Sequence, residues 1–437
     1  LHAQDEALTL IIELLRDQDK EIRSLALEQV RTEARGEAAT RKFAELLPTL
    51  PSETQVGLLS ALAARGDVAA APEARQLLAK GQTEAVRIAA IEAIGYLGDE
   101  TDVSVLINHL ADDDHAVQKA ARNSLIRLAG PKASQAILDQ SVEATTAIRI
   151  ALIEILTDRR AGQSELLTAA LDDDAQIRRA AMRALGQIAA PEHLPGLVHG
   201  VLKAQPGSER IAAERALAAV CQRREDPSQK AKPLLDVMNK LDPQQRIALM
   251  PALGRVGGPA ALAAVENALN DSDAALHRAG LTALGNWPDG SVVGRLLEIA
   301  RTDEHAEHRA MCRKALIRIA PLEDARSDAR RLDLLRTLFV MCPDEAERNQ
   351  LIERAKAVRT VETLRFMMTF IDQAALSQQA CATVVELAHH SGLREQHKEE
   401  FHRALDKVVA VSRDATVIDR AQRYQTGQTW VRPKSTP

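Results

Sequence analysis

The chain has 437 residues, with 56 Lys and Arg against 61 Asp and Glu, a formal net charge of -5. Hydrophobic residues make up 46%, yet only five Phe, two Trp and two Tyr carry rings. This excludes a disordered chain and a strongly basic nucleic-acid binder. A core so poor in rings points to helices packed through Ala, Leu, Ile and Val.

At the start, Leu1-His2-Ala3-Gln4 precedes a helical pattern that opens at Asp5. Leu1 and Ala3 suit the −3 and −1 places of a signal-peptidase site. Residues 1–4 therefore read as a signal-peptide remnant or an arbitrary chain end. Export, periplasmic or extracellular, is favoured over a cytoplasmic place. No apolar run is long enough to span a membrane.

From residue 5 to 320 the chain repeats. One position holds Arg23, Gln55, Arg87, Gln118, Arg149, Arg178, Arg210, Arg246, His277 and Arg309, with gaps of 29 to 36 residues. Seven residues after each of these anchors stands an aliphatic residue, from Val30 and Leu62 through to Leu316. The residue before it is Ala at 61, 93, 184, 216, 252, 283 and 315. Four residues before the anchor, Asp19, Thr83, Asp114, Thr145, Asp174, Asp242 and Asp273 suit a helix N-cap. Gly or Pro recurs about a dozen residues after it, as at Gly98, Gly130-Pro131 and Gly258-Pro259, to end one helix and open the next. The predicted repeat is helix, Asp-rich turn, helix, breaker. Neither helix buries its apolar face alone, so the repeats must stack.

Residues 90–130, AIEAIGYLGDETDVSVLINHLADDDHAVQKAARNSLIRLAG, resemble the HEAT-like consensus, and 171–197, LDDDAQIRRAAMRALGQIAAPEHLPGL, do so again. The resemblance is to the short, PBS-lyase-type HEAT repeats within the armadillo-like helical class. It implies an all-α solenoid, a superhelix of about ten helix pairs whose second helices line a concave face. Some relatives are bilin lyases, which implies a bilin-lyase-like enzyme or chaperone as one alternative.

Beyond Pro321 the phase decays, and helices are expected at 330–342, 344–358, 360–372, 376–391, 394–412 and 414–424. Residues 321–424 read as divergent repeats and a C-terminal cap, which a solenoid needs to close its core. The stretch VVELAHHSGLREQHKEEFHRALDKVVAVS resembles the ends of large bacterial HEAT-repeat proteins. Residues 425–437 read as a tail.

Candidate sites are few. The runs Asp112-Asp113-Asp114 and Asp172-Asp173-Asp174 lie where N-caps are needed and lack the spacing of a calcium loop. Anchor arginines with the Asp four residues earlier suggest a polar ladder between repeats. His305 and His308 share a helix face and His277 sits at the preceding anchor, but a zinc site needs a further ligand that the sequence does not identify. No metal and no cofactor is therefore expected. Cys221, Cys312, Cys342 and Cys381 lack metal or redox spacing and read as small core residues, with a Cys312–Cys342 bridge left open.

Charge drifts along the position five after the anchor: Glu28, Ser60, Glu92, Asn123, Glu154, then Arg183, Arg215, Pro251, Thr282 and Lys314. Arg179, Arg278 and Arg313 add positive charge nearby. No GxSxG, HExxH, Walker or GxGxxG motif occurs, so no catalytic residue is assigned. The expected function is a non-catalytic scaffold that presents a concave surface to a protein partner or an adjoining domain, with Arg179, Arg183, Arg215, Arg278, Arg313 and Lys314 as contacts for acidic groups. Polyanion or nucleic-acid binding through the basic second half is the other alternative, disfavoured by the overall acidity. The oligomeric state is not read.

Overall fold

A computed structural model describes residues 2–34, 36–80 and 83–430. Among them are 27 α-helices, joined by short turns and single turns of tighter helix, and no strand. The backbone forms two compact halves that divide between Val220 and Cys221. In the first half, the anchor helices Lys20–Thr32, Ser52–Arg65, Glu84–Leu97, His115–Arg127, Thr146–Asp158 and Ala175–Ile188 pack in sequence order, each on the next. In the second, Pro243–Val256, Ala274–Gly285, Ala306–Ile319, Glu345–Ala355 and Ser377–His389 do the same. Two further helices, Lys398–Val411 and Ala415–Gln425, pack on the last of these and on each other.

The seam between helices is built as the repeat requires. Every aliphatic residue seven places after an anchor, from Val30 to Leu316, is buried. The recurrent Ala before it is buried at all seven positions. Small side chains let backbones approach: a Cβ on Gly95 would lie 2.7 Å from Ser124 Cα. Ser124 itself donates its hydroxyl to Ile91 O at 2.8 Å, so the contact is both tight and polar-satisfied. Rings have little room in such a seam, although Trp287 is accommodated fully buried with its Nε1 donating to Ser291 Oγ at 2.9 Å.

Asp residues start several of these helices by two linked hydrogen bonds. Asp174 Oδ1 accepts from Gln176 N at 2.7 Å, and Asp172 Oδ1 accepts from Asp174 N at 2.8 Å. The pairs Asp112–Asp114 and Asp271–Asp273 repeat this arrangement. The aspartate runs are thus turn and cap, which satisfy donors left open at a helix start.

The anchor residues behave differently from the expected ladder. Arg178 Nη1 donates to Asp172 O at 2.7 Å and to Asp173 O at 2.8 Å. Arg23, Gln118, Arg210 and Arg309 reach back to carbonyls five or six residues earlier in the same way. These carbonyls close the preceding helix and its turn, so the anchor holds the two helices of one repeat together. The Asp four residues earlier is already engaged as N-cap. Where an anchor does bridge repeats, its acid belongs to the next one: Glu53 for Arg23, Asp172 for Arg149 and Glu209 for Arg178.

A second set of arginines joins repeats. Arg159 donates to Leu125 O, Ile126 O and Leu128 O through Nη1 and to Gly130 O through Nη2, all at the end of the preceding anchor helix. Arg65 serves the end of Lys20–Thr32 and Arg318 the end of Ala274–Gly285. Arg65 and Arg159 stand ten residues after their anchors, where other repeats carry Leu97, Leu128 or Ile319.

Repeat chemistry also continues past the point where the sequence pattern fades. Asp344 caps Glu345–Ala355, Arg348 donates to Cys342 O six residues back, and Ala355 is buried seven residues on. The four cysteines are buried and free, so no Cys312–Cys342 bridge forms. Residue 1 and the tail residues 431–437 lie outside the described residues.

Two measurements test this packing. Gly254→Ala would set a Cβ 2.0 Å from Ala283 O, and we expect a loss of about 1–3 kcal/mol in urea unfolding as the two helices part. Gly294→Ala, whose Cβ meets nothing within 4 Å, should instead gain up to about 1 kcal/mol. Backbone N–H groups of Ala116 and Gln176 hold the Asp114 and Asp174 carboxyls below the usual aspartate range. Groups depressed in the folded state stabilise it fully above the unfolded value of ~3.9 and cease to as pH falls through the folded one. The thermal midpoint should therefore drop steeply below about pH 4.

Candidate functional site

The helices Ala175–Ile188 and Ser208–Gln222 carry a concentrated patch of unneutralised charge that the sequence anticipated. Ile177, Ala181 and Leu185 turn inward, and so do Ala213, Ala216 and Leu217 on the second helix. Periodicity then sends Arg179, Arg183 and Arg215 to the exposed side. The helices approach closely: a Cβ on Gly186 would sit 3.0 Å from Ala216 Cα. Arg179, Arg183 and Arg215 rim a shallow cavity of about 350 Å³ whose floor is Gly186, Ala212, Ala216 and Ala219. Among the described residues no carboxylate lies within ion-pair distance of these three guanidiniums.

One repeat earlier the face changes character. Arg122 is there neutralised by Glu154 at 2.9 Å and Asp158 at 3.1 Å. Arg183 closes the neighbouring cavity against those two acids. Basic and acidic ground therefore adjoin, with the excess of positive charge on the Arg179–Arg215 side.

The second half separates its three predicted residues. Arg313 makes a two-pronged pair with Glu347, Nε to Oε2 at 2.9 Å and Nη2 to Oε1 at 3.3 Å, with both side chains largely buried. That carboxylate raises the guanidinium's pKa further, against the effect of burial. Arg278 pairs at the surface with Glu307 at 2.6 Å. Lys314 is exposed with no such partner among the described residues. Two of the three are thus structural neighbours of an acid, and the sequence lacked the signal, because both acids sit about 30 residues on in the next repeat.

The histidines do assemble. The ring of His277 lies 5.3 Å from that of His308, centroid to centroid, and His308 Nδ1 is 3.2 Å from Asp303 Oδ2. His389 and His390 are a separate pair, with His389 Nδ1 2.9 Å from the Tyr424 hydroxyl. Burial pushes the thiols of Cys221, Cys312 and Cys342 up to about 12 and that of Cys381 to about 11, so none is a ready nucleophile.

A family model described as HEAT repeats matches residues 40–126, 71–157 and 231–317. Among curated protein sequences none matches. The solved structures to which the chain is similar include Kap121p bound to Ste12p, at 12% identity and a TM-score of 0.46. Kap95p in its complex with RanGDP is similar at 14% identity and a TM-score of 0.45. These alignments cover 96% of this chain but only 52% and 65% of the two Kap chains. The complex of CpcE and CpcF of phycocyanin lyase from Nostoc sp. PCC7120 is similar over 54% of this chain and 94% of that one, at 17% identity and a TM-score of 0.27. Likenesses so distant leave the chain's ligand to be argued from its own residues. No helix among the described residues is long and apolar enough to cross a membrane.

The split between structural and free arginines is testable. Arg313→Ala strands Glu347 and should cost about 3 kcal/mol in urea unfolding. Arg183→Ala should leave the unfolding midpoint within about 0.5 kcal/mol of the parent.

Proposed function

Because the chain is a HEAT-repeat protein of the all-α solenoid class, we propose that it is a non-catalytic scaffold for a protein partner. The partner offers an acidic segment to the face rimmed by Arg179, Arg183 and Arg215. The observation that carries this reading is that three exposed guanidiniums converge on one shallow cavity without a carboxylate of their own. Guanidinium forks pair two-pronged with carboxylates, and such charge-assisted bonds are roughly twice as strong as neutral ones. The small floor residues leave room for a main chain to lie in the cavity above the contact of the two helices. Lys314 offers a separate exposed positive charge in the second half.

Binding here rests on charge and shape, because the patch holds no Trp, Tyr or Phe of the kind that anchors most interfaces. Affinity should accordingly be modest and salt-sensitive. The buried, raised thiols and the want of a recognisable catalytic motif support a binding role over a chemical one.

Fluorescence polarisation with a short labelled Asp/Glu peptide tests the proposal. The parent should bind at low salt and release the peptide as NaCl is raised. Arg179→Glu, Arg183→Glu and Arg215→Glu together should weaken binding at least ~10-fold, about 1.4 kcal/mol. Unchanged affinity in that variant, or binding indifferent to salt, overturns the reading. Tighter binding of a DNA duplex than of the peptide, lost in the same variant, would assign the face to polyanions instead.

A further inference from the structure

We propose that His277, Asp303 and His308 form a binding site for one divalent transition-metal ion, zinc in the first instance, which ties two neighbouring repeats together. One ligand atom from each of the three lies within 4.8 Å of the others. His277 comes from the helix Ala274–Gly285, Asp303 from the turn that follows Val293–Thr302, and His308 from Ala306–Ile319. All three are partly buried. Tetrahedral zinc bonds of ~2.1 Å set ligand atoms about 3.4 Å apart, so modest side-chain rotation closes the site.

Two observations separate this cluster from an ordinary ladder of polar contacts. The first is that two different repeat positions depart from pattern and meet in space. His277 replaces an Arg or Gln anchor. His308 stands just before an anchor, where Ile22, Val86, Val117, Ile148, Ile177 and Leu276 are aliphatic and Thr54, Glu209 and Gln245 are polar, but none is a histidine. In an earlier repeat the same slot holds the Arg149–Asp172 ion pair, whose cation would repel a metal.

The second is that the surrounding bonds already orient the donors. His277 Nδ1 lies 2.7 Å from Leu269 O, which only accepts, so Nδ1 carries the proton and Nε2 keeps its lone pair. A ligating His typically donates its other ring N–H to a carbonyl in this manner. Asp303 Oδ1 is held by His305 N at 2.7 Å, which leaves Oδ2 turned to His308. Two imidazoles and one carboxylate form a donor set suited to zinc, with the remaining coordination open to water. His305 is largely exposed and is not required.

Calorimetric titration of the chelator-treated full chain with zinc sulfate tests the site. One equivalent should bind and raise the thermal midpoint, and EDTA should reverse both. His277→Arg and His308→Ile restore what other repeats carry, so the fold should persist by far-UV circular dichroism. Each should weaken zinc binding at least ~10-fold, the lower bound for losing even a supporting partner. His402→Ala, an exposed histidine elsewhere in the same half, should bind as the parent does. Absence of zinc binding by the parent, or equal binding by His277→Arg and His308→Ile, overturns the proposal.

Discussion

The architecture depends on satisfying the ends of short helices. A helix of about a dozen residues leaves four N–H and four C=O groups unpaired, so a large share of its backbone lies at an end. Here many of the starts are met by Asp side chains, and several of the ends are met by Arg and Gln arriving from elsewhere. Arg178 secures the end of the helix before it, and Arg159 secures the end of the anchor helix one repeat back. The first bond closes a repeat and the second joins it to its neighbour. With the polar ends held, the seam needs only Ala, aliphatic residues and an occasional Gly to pack.

That division explains what was legible in the amino-acid sequence. The buried seam recurs at fixed spacing, so Leu185 or Leu284 could be placed from periodicity alone. N-caps such as Asp174 were equally plain, being local chemistry over two or three residues. The direction taken by the anchors was not. A reach of six residues back and one of thirty forward leave the same residue type at the same place. Arg65 and Arg159 were hidden for a related reason, since an Arg replacing Leu at one position looks like a solvated exception. The repeat past residue 320 faded from view because its spacing lengthened to 39 residues from Arg309 to Arg348, while its cap and anchor bonds persisted.

The scarcity of rings follows from the same seam, and six of the nine rings lie beyond the regular repeats. Phe339, Phe366 and Phe370 gather beyond the regular repeats, with Phe339 and Phe370 centroids 4.4 Å apart. In the regular part, side chains on the exposed helix face are free to vary, since neither capping nor packing uses them. Of the six residues expected to contact a partner, Arg313 turned out to be held inward by Glu347, a pairing set by the next repeat. Arg183 is left without an acid of its own beside Glu154 and Asp158, which are already taken by Arg122.

In a chain built from repeats, a residue that matches its equivalents is accounted for by the fold. Functional inference gains most from residues that depart from them, above all when departures in different repeats converge. Arg183 and Arg215 meet that condition, since the same position is Glu or neutral in the five repeats before them. His277 and His308 meet it as well, because the equivalents they replace are Arg or Gln at one position and most often an aliphatic residue at the other. Packing alone would favour the aliphatic side chain at position 308, and end-capping alone would favour Arg at position 277. Both preferences yield at the same contact between the same two repeats, and the carboxylate that an Arg anchor would have engaged faces the His308 imidazole instead.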